Sequence, residues 1–201
     1  MNQISIQKIT NDPLIITSEH FLGSEEKVVF RPLNKNDSKA FGQFLESLSQ
    51  ETRSKFGPHP LDFAEAKNIC ENLNYSEMLR MVITNKKEEI IGYIVLSFQF
   101  RDSQLLRYED YKISLAKGRD ICIAPVVADR YQNKGIGGLM LKKTIEIAHR
   151  LRVKYIILWQ GTQSSNKRAI HFYEKFGFLK NSEFERYGHK NVDMTLTLNN
   201  N

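Results

Sequence analysis

Two short segments of this chain collect residue types that do chemistry only in combination. The first, Gln132-Asn133-Lys134-Gly135-Ile136-Gly137-Gly138, leaves an apolar run and opens a helical pattern. Such a strand-to-helix turn aims several backbone N–H groups and the positive end of a helix dipole at one point, which makes an anion site suited to a pyrophosphate. Gly135 and Gly137 let a phosphate reach the backbone, and Lys134 adds a mobile positive charge. A tight turn without a ligand would use the same glycines, so the loop alone is weak. Other phosphate motifs fit worse: Met140 stands where a dinucleotide fingerprint needs its third glycine, and no G-x-x-x-x-G-K-[ST] occurs. The second segment runs from Asn166 to Phe178 and sets Ala169, Ile170, Tyr173 and Phe176 on one helical face. The five histidines and two cysteines are too scattered for zinc spacing, so no metal is expected.

These segments need elements to hold them. Asp120 to Val127 is apolar and β-branched enough for a buried strand, but Pro125 has no N–H for a ladder, so pairing should fail near it. Behind the glycine loop, Ile136, Leu139, Met140, Ile147, Ala148 and Leu151 spell the strongest amphipathic helix, and Val153 to Trp159 is the next strand. Ser164 or Ser165 can cap the following helix, and Gly177 sits where a left-handed C-terminal cap is wanted. Upstream, the pattern predicts a strand over Lys27 to Leu33 and a helix behind an Asp37 cap. A second helix starts at Asp62, and a hairpin joins Met78 to Thr84 with Glu89 to Phe100. Val192, Met194, Leu196 and Leu198 alternate with polar residues, the period of a half-buried final strand. The order β, α, α, β, β, β, α, β, α, β, β predicts a mixed α/β sheet. Residues 1–26 read as an extended N-terminal extension or hairpin of undefined docking, and residues 101–118 as a polar insertion.

The chain has 201 residues, 41% apolar and 26% charged, values that exclude disordered and fibrous classes and predict one domain over 1–201. Its longest apolar stretch, Ile90 to Phe98, is about half the ~20 residues of a membrane-spanning helix, and no signal-peptide core precedes His20. A cytoplasmic protein is expected, with Cys70 and Cys122 reduced and buried. A net charge of +6 favours polyphosphate or acidic ligands but is too diffuse to argue for nucleic acid.

Taken jointly, strand, Arg130-x-Gln132-x-x-Gly135-x-Gly137, long helix, strand and Asn166-x-x-Ala169-x-x-Phe172-Tyr173-x-x-x-Gly177-Phe178 resemble the GNAT superfamily of acyl-CoA-dependent N-acetyltransferases. The resemblance covers residues 120–178 strongly and the outer strands more loosely. It implies a GNAT fold, a central mixed, mostly antiparallel sheet splayed between two strands and flanked by about four helices. It also implies acetyl transfer from acetyl-CoA, as co-substrate, to a small-molecule or peptide primary amine by direct attack in a ternary complex. A non-catalytic acyl-CoA sensor is the alternative, and a homodimer is compatible with either.

By the same resemblance, Gln132, Asn133, Lys134, Gly135, Ile136, Gly137 and Gly138 hold the CoA pyrophosphate, while Pro125, Val126 and Val127 pair with the pantetheine arm. That agrees with the independent reading of Pro125, because an opened strand edge leaves backbone groups for an amide-bearing arm. Val127 is the candidate oxyanion donor, Tyr173 the general acid, and Asn166 a pantetheine ligand or helix cap. A core tyrosine explains Tyr173 equally well from spacing alone. The base is open: some relatives place a glutamate where counting back from Gln132 finds Ile121, with Asp120 next to it on the other face. His171, Glu109, Asp110 and water are the other options. For the acceptor, the resemblance points to Arg53, Phe56 and His59 and to the 101–118 insertion.

Overall fold

The computed structural model describes residues 2–23 and 26–199. Along the chain, α1 (Ile6–Asn11) is followed by β1 (Ser18–Leu22), β2 (Glu26–Pro32), α2 (Ser38–Glu46), α3 (Gln50–Arg53), α4 (Phe63–Glu71), β3 (Met78–Thr84) and β4 (Ile90–Ser97). Then come α5 (Asp102–Asp110), β5 (Ile121–Val127), α6 (Ile136–Arg150), β6 (Tyr155–Leu158), β7 (Thr162–Gln163), α7 (Lys167–Lys175), β8 (Leu179–Arg186) and β9 (His189–Thr197). Among the described residues nine strands make a mixed, mostly antiparallel sheet in which β5 and β6 run parallel. The chain divides into two compact units, and β5 supplies residues to both.

Met1–Leu96 and Ala124–Leu151 make up the first unit. Here β1, β2 and β3 pair antiparallel, so that Phe30 faces Ser18 on one side and Ile83 on the other. Every residue of β4 is buried, the signature of a strand covered on both faces. Gly92 makes the cover possible on one face: a methyl group there would lie 3.1 Å from Ile136 and 3.0 Å from Met140 of α6. On α2, Phe41, Phe44 and Leu45 turn inward. The helix lacks the expected Asp37 side-chain cap, because that carboxylate accepts instead from the Asn34 N–H (2.8 Å) and from both Arg31 terminal nitrogens (2.7 Å each). Asp62 does cap α4, accepting from the Glu65 N–H at 2.8 Å.

The N-terminal segment is partly helical, which corrects the extended reading. Ser5 caps α1, a 3-10 turn spans Pro13–Ile16, and β1 pairs with β2 rather than with another strand of the segment. Ile9 and Ile16 are buried, and Arg150 at the end of α6 donates to the Asn2 and Ile15 carbonyls, 3.3 Å each. A cation at a helix C-terminus is favoured by the dipole, and here it also docks the segment.

Ser97–Ile123 and Arg152–Asn201 form the second unit. The parallel register runs from Ile121↔Ile156 to Ile123↔Leu158 and stops there, two residues before Pro125. β9 pairs antiparallel with β6, β7 and β8. The polar insertion holds α5, whose Arg107 reaches the fully buried Asp193 at 2.8 Å while Tyr111 donates to the same carboxylate at 3.2 Å. Arg107 also lies 3.8 Å over the Phe184 ring. These contacts bury β9 continuously from Asn191 to Thr195, so the half-buried alternation read from the sequence does not hold. Both cysteines are buried and free, and burial pushes their thiols up, Cys70 to about 11 and Cys122 to about 12.

Candidate active site

The glycine loop begins where β5 ends. A 3-10 turn over Asp129–Tyr131 leads to Gln132, after which Asn133 (φ 61) and Gly135 (φ 86) take left-handed conformations and α6 starts at Ile136. Gly135 is the N-cap and no side chain caps this helix. The first N–H to find a helical acceptor is that of Leu139, which donates to the Gly135 carbonyl at 2.9 Å. The N–H groups of Ile136, Gly137 and Gly138 therefore lie in the first turn, where an α-helix has no acceptors of its own. Ile136 contributes only this backbone group, since its side chain is 1% exposed.

The backbone parity of β5 determines which edge each peptide group faces. Ile123 accepts from the Trp159 N–H at 2.8 Å, and Ala128 donates to the Ile91 carbonyl of β4 at 3.0 Å. Successive residues of a strand alternate between its two edges. The Val127 N–H thus points to the edge away from β4, the same edge on which Pro125 has no donor, while Val126 faces β4 and buries its side chain. A strand edge with one N–H and one proline nitrogen has carbonyls to spare and one well-placed donor.

A polar latch between residues far apart in sequence holds the loop's entry. Asp129 accepts from the Ser49 N–H (2.8 Å), the Ser49 hydroxyl (2.7 Å) and the Thr52 hydroxyl (2.7 Å). Burial opposes its ionisation, but these bonds hold its pKa below the ordinary value. The Gln132 side chain is used in the same latch, donating to Thr52 at 3.1 Å and more weakly to the Val127 carbonyl at 3.4 Å. Gln132 therefore helps to position the loop.

In the second unit, Asn166 is the N-cap of α7, accepting from the Ala169 N–H at 3.2 Å, which replaces the expected Ser164 or Ser165. Ser164 Oγ and Trp159 Nε1 are instead buried without a partner among the described residues. The helix ends in a Schellman arrangement: Gly177 (φ 85) donates to Glu174 at 2.9 Å and Phe178 to Tyr173 at 3.1 Å. Between these ends Tyr173 is 7% exposed, with ring centroids of Phe172 and Phe178 each 5.3 Å away. Burial alone drives the Tyr173 pKa well up, so the hydroxyl keeps its proton at any physiological pH.

The sequence profile of the Acetyltransferase (GNAT) family matches residues 43–178. The chain belongs to this family. Solved structures of similar fold include the GNAT domain of S. lividans PAT (16% identity, 92% of this chain and 99% of that one, TM-score 0.72). Ribosomal-protein-S5-alanine acetyltransferase from Vibrio fischeri is another (14%, 90% and 96%, 0.68). A third is spermidine N-acetyltransferase from Vibrio cholerae in complex with CoA and spermine (17%, 85% and 95%, 0.63). The mixed α/β architecture is thus the GNAT fold, and the protein is an acetyltransferase of that family.

Several residues nominated for the acceptor or the base have structural duties in this GNAT chain. Arg53 donates to three carbonyls, Leu48 (2.9 Å), Leu61 (2.7 Å) and Leu45 (2.7 Å), which ties α3 to its neighbours and leaves little for a substrate. Phe56 and His59 belong to an aromatic cluster with Phe41 and Tyr93. Asp120 is fully buried: one oxygen takes the Ala116 N–H (2.8 Å) and Arg119 (2.6 Å), the other the Tyr155 N–H (2.9 Å). It is a clamp on the start of β5. His171, Glu109 and Asp110 are exposed.

Proposed function

We propose that the protein transfers an acetyl group from acetyl-CoA to a primary amine by direct attack in a ternary complex. The observation that carries this reading is the uncapped first turn of α6 behind Gly135, at the end of a strand whose Val127 N–H faces an unpaired edge. A diphosphate is the anion that suits such a turn, and an amide-bearing arm suits such an edge. Ile136, Gly137 and Gly138 would receive the pyrophosphate with Asn133 and Lys134 beside it. Pro125 to Val127 would receive the pantetheine, with Asn166 keeping its capping role.

In the reaction the amine nitrogen attacks the thioester carbonyl carbon, and the Val127 N–H stabilises the oxygen as it gains charge. Collapse expels the CoA thiolate, and Tyr173 meets it with a proton. A free thiol has a pKa near ~8.5. Because burial makes a Tyr173 phenolate costly, the hydroxyl acts best as a donor that shares its proton while the C–S bond breaks. With Asp120 clamped, the amine's own proton leaves through water.

Thermal melts with CoA test the cofactor site. At a hundredfold excess over Kd the native chain should gain about 2.7 kcal/mol. Gly137→Glu fills the site with a like charge and should abolish the gain. An unchanged native melt, or an equal gain in the variant, would remove the anion site. CoA binding without thiol release from any amine in an acceptor panel would leave a binding module in place of an enzyme.

A further inference from the structure

At the turn between β8 and β9, Tyr187 and Gly188 both take left-handed backbone (φ 50 and φ 74), the angles that a two-residue hairpin turn requires. Asn or Asp is the usual first residue of such a turn, because a bulky side chain is strained there. Here a tyrosine holds the place and is 82% exposed, so packing does not offset the strain. Arginines flank it. Arg186 Cζ lies 4.6 Å from the ring centroid and its Nη2 3.5 Å from the hydroxyl, and Arg101, just before α5, acts on the same hydroxyl. Charge differs between the two faces of the hairpin. Arg186 pairs with His189 on the face of Phe184, which Arg107 of α5 covers, whereas Glu185 pairs with Lys190 on the other face, with Glu183 two residues before it. Arg107 is committed to Asp193, so the first face is left with Arg101 and Arg186, beside which Asp102 stands in the first turn of α5. The second unit also carries most of the chain's net charge of +6.

We propose that this hairpin tip, together with Arg101, docks a short acidic segment of a protein partner, its carboxylates on the two guanidiniums and its chain against the Tyr187 ring. Guanidinium forks match carboxylates in bidentate geometry, and an exposed aromatic ring supplies rigid contact area. A side chain that stands out from the surface encloses no small anion, so the ligand must bring a surface of its own. A nucleic acid would need a continuous basic groove. Here Asp102 on one side and Glu183 and Glu185 on the other interrupt the positive charge, which suits a few carboxylates better than a long polyanion.

Fluorescence anisotropy of the full chain with a fluorescein-labelled peptide, a block of glutamates between glycines, measures the docking. The peptide should bind the native protein at low ionic strength and weaken as salt rises. In Arg101→Ala/Arg186→Ala its Kd should rise about tenfold, and the same peptide with glutamines should not bind. Should the alanine variant fail to fold, Arg101→Lys/Arg186→Lys keeps the charge, removes the forks and should show most of the same loss. Tyr187→Asn separates docking from folding: relief of the turn should raise the melting temperature by about 2 to 4 °C, while peptide affinity falls roughly threefold. Binding that survives in the arginine variants, that the glutamine peptide matches, or that Tyr187→Asn leaves unchanged would overturn the inference. So would a single-stranded oligothymidylate that binds more tightly than the peptide through the same arginines, or a native protein that binds neither probe.

Discussion

Tyr93 in the first unit and Tyr173 in the second are both almost fully buried among aromatic rings, and burial raises the pKa of both. They differ in what meets the hydroxyl. Tyr93 accepts from Arg80 Nη1 and donates to His59 Nε2 at 3.3 Å, while His59 Nδ1 donates to the Pro60 carbonyl at 2.6 Å. This chain satisfies every member and uses the neutral tautomer of the histidine. No charged or hydrogen-bonding group contributes to the Tyr173 shift, which comes from burial alone. A buried hydroxyl with partners is part of the packing. The Tyr173 hydroxyl has no such partner among the described residues, on a ring left 7% exposed near the end of α7.

The largest expected effect is on Tyr173. Tyr173→Phe keeps the ring between Phe172 and Phe178 and removes a hydroxyl that no described residue bonds, so stability should hold or rise slightly. Turnover should fall by roughly 10² to 10⁴ when chemistry limits the rate, with CoA affinity nearly unchanged. Single-turnover kinetics beside a thermal melt checks both halves. Full retention of turnover would make Tyr173 a core residue like Tyr93.

The contrast inverts for Tyr93→Phe. Here the loss leaves the partly buried Arg80 guanidinium and His59 Nε2 without that partner, at a cost of about 1 to 2 kcal/mol in unfolding free energy. Chemical denaturation should show that loss, while the turnover of the folded fraction should stay within about threefold of native, a rate difference well under 1 kcal/mol. A stable variant with collapsed turnover would mean that Tyr93 touches substrate and that the pairing of the two tyrosines was read the wrong way round.

The sequence shows one side of this contrast more readily than the other. Features written in the backbone were legible: the left-handed Gly177, the end of the β5 ladder before Pro125, and the 15-residue helix behind the glycine loop. Each depends on a residue type and its immediate neighbours. Features made by side chains distant in sequence were not. Asp129 meets Ser49 across 80 residues, and Arg107 meets Asp193 across 86. Asp120, weighed as a base, turned out to be bound on both oxygens. Helix α5 was missed because its buried positions are Gln104 and Tyr108, so its inner face carries no apolar stripe. For α1, six residues are too few to show a period.

The smallest effect is the pH dependence of the Tyr93 network. Burial lowers the His59 pKa from 6.5 to about 4, so between these values the unfolded chain binds a proton that the folded chain refuses. Stability therefore rises with pH through this window, is fully present above pH 6.5, and is lost as the pH falls toward 4. Because the ring is partly exposed, the loss at pH 5 should be about 1 to 2 kcal/mol, below the limit that 1.36 kcal/mol per unit would set. His59→Asn cannot take up that proton. The gap in unfolding free energy between native and variant should thus narrow from pH 7 to pH 5, and carboxylates common to both chains cancel in the difference. A gap that stays constant would mean that His59 protonates in place without disturbing Tyr93. The hydroxyl would then be held by Arg80 alone, and Tyr93 would stand one bond closer to Tyr173.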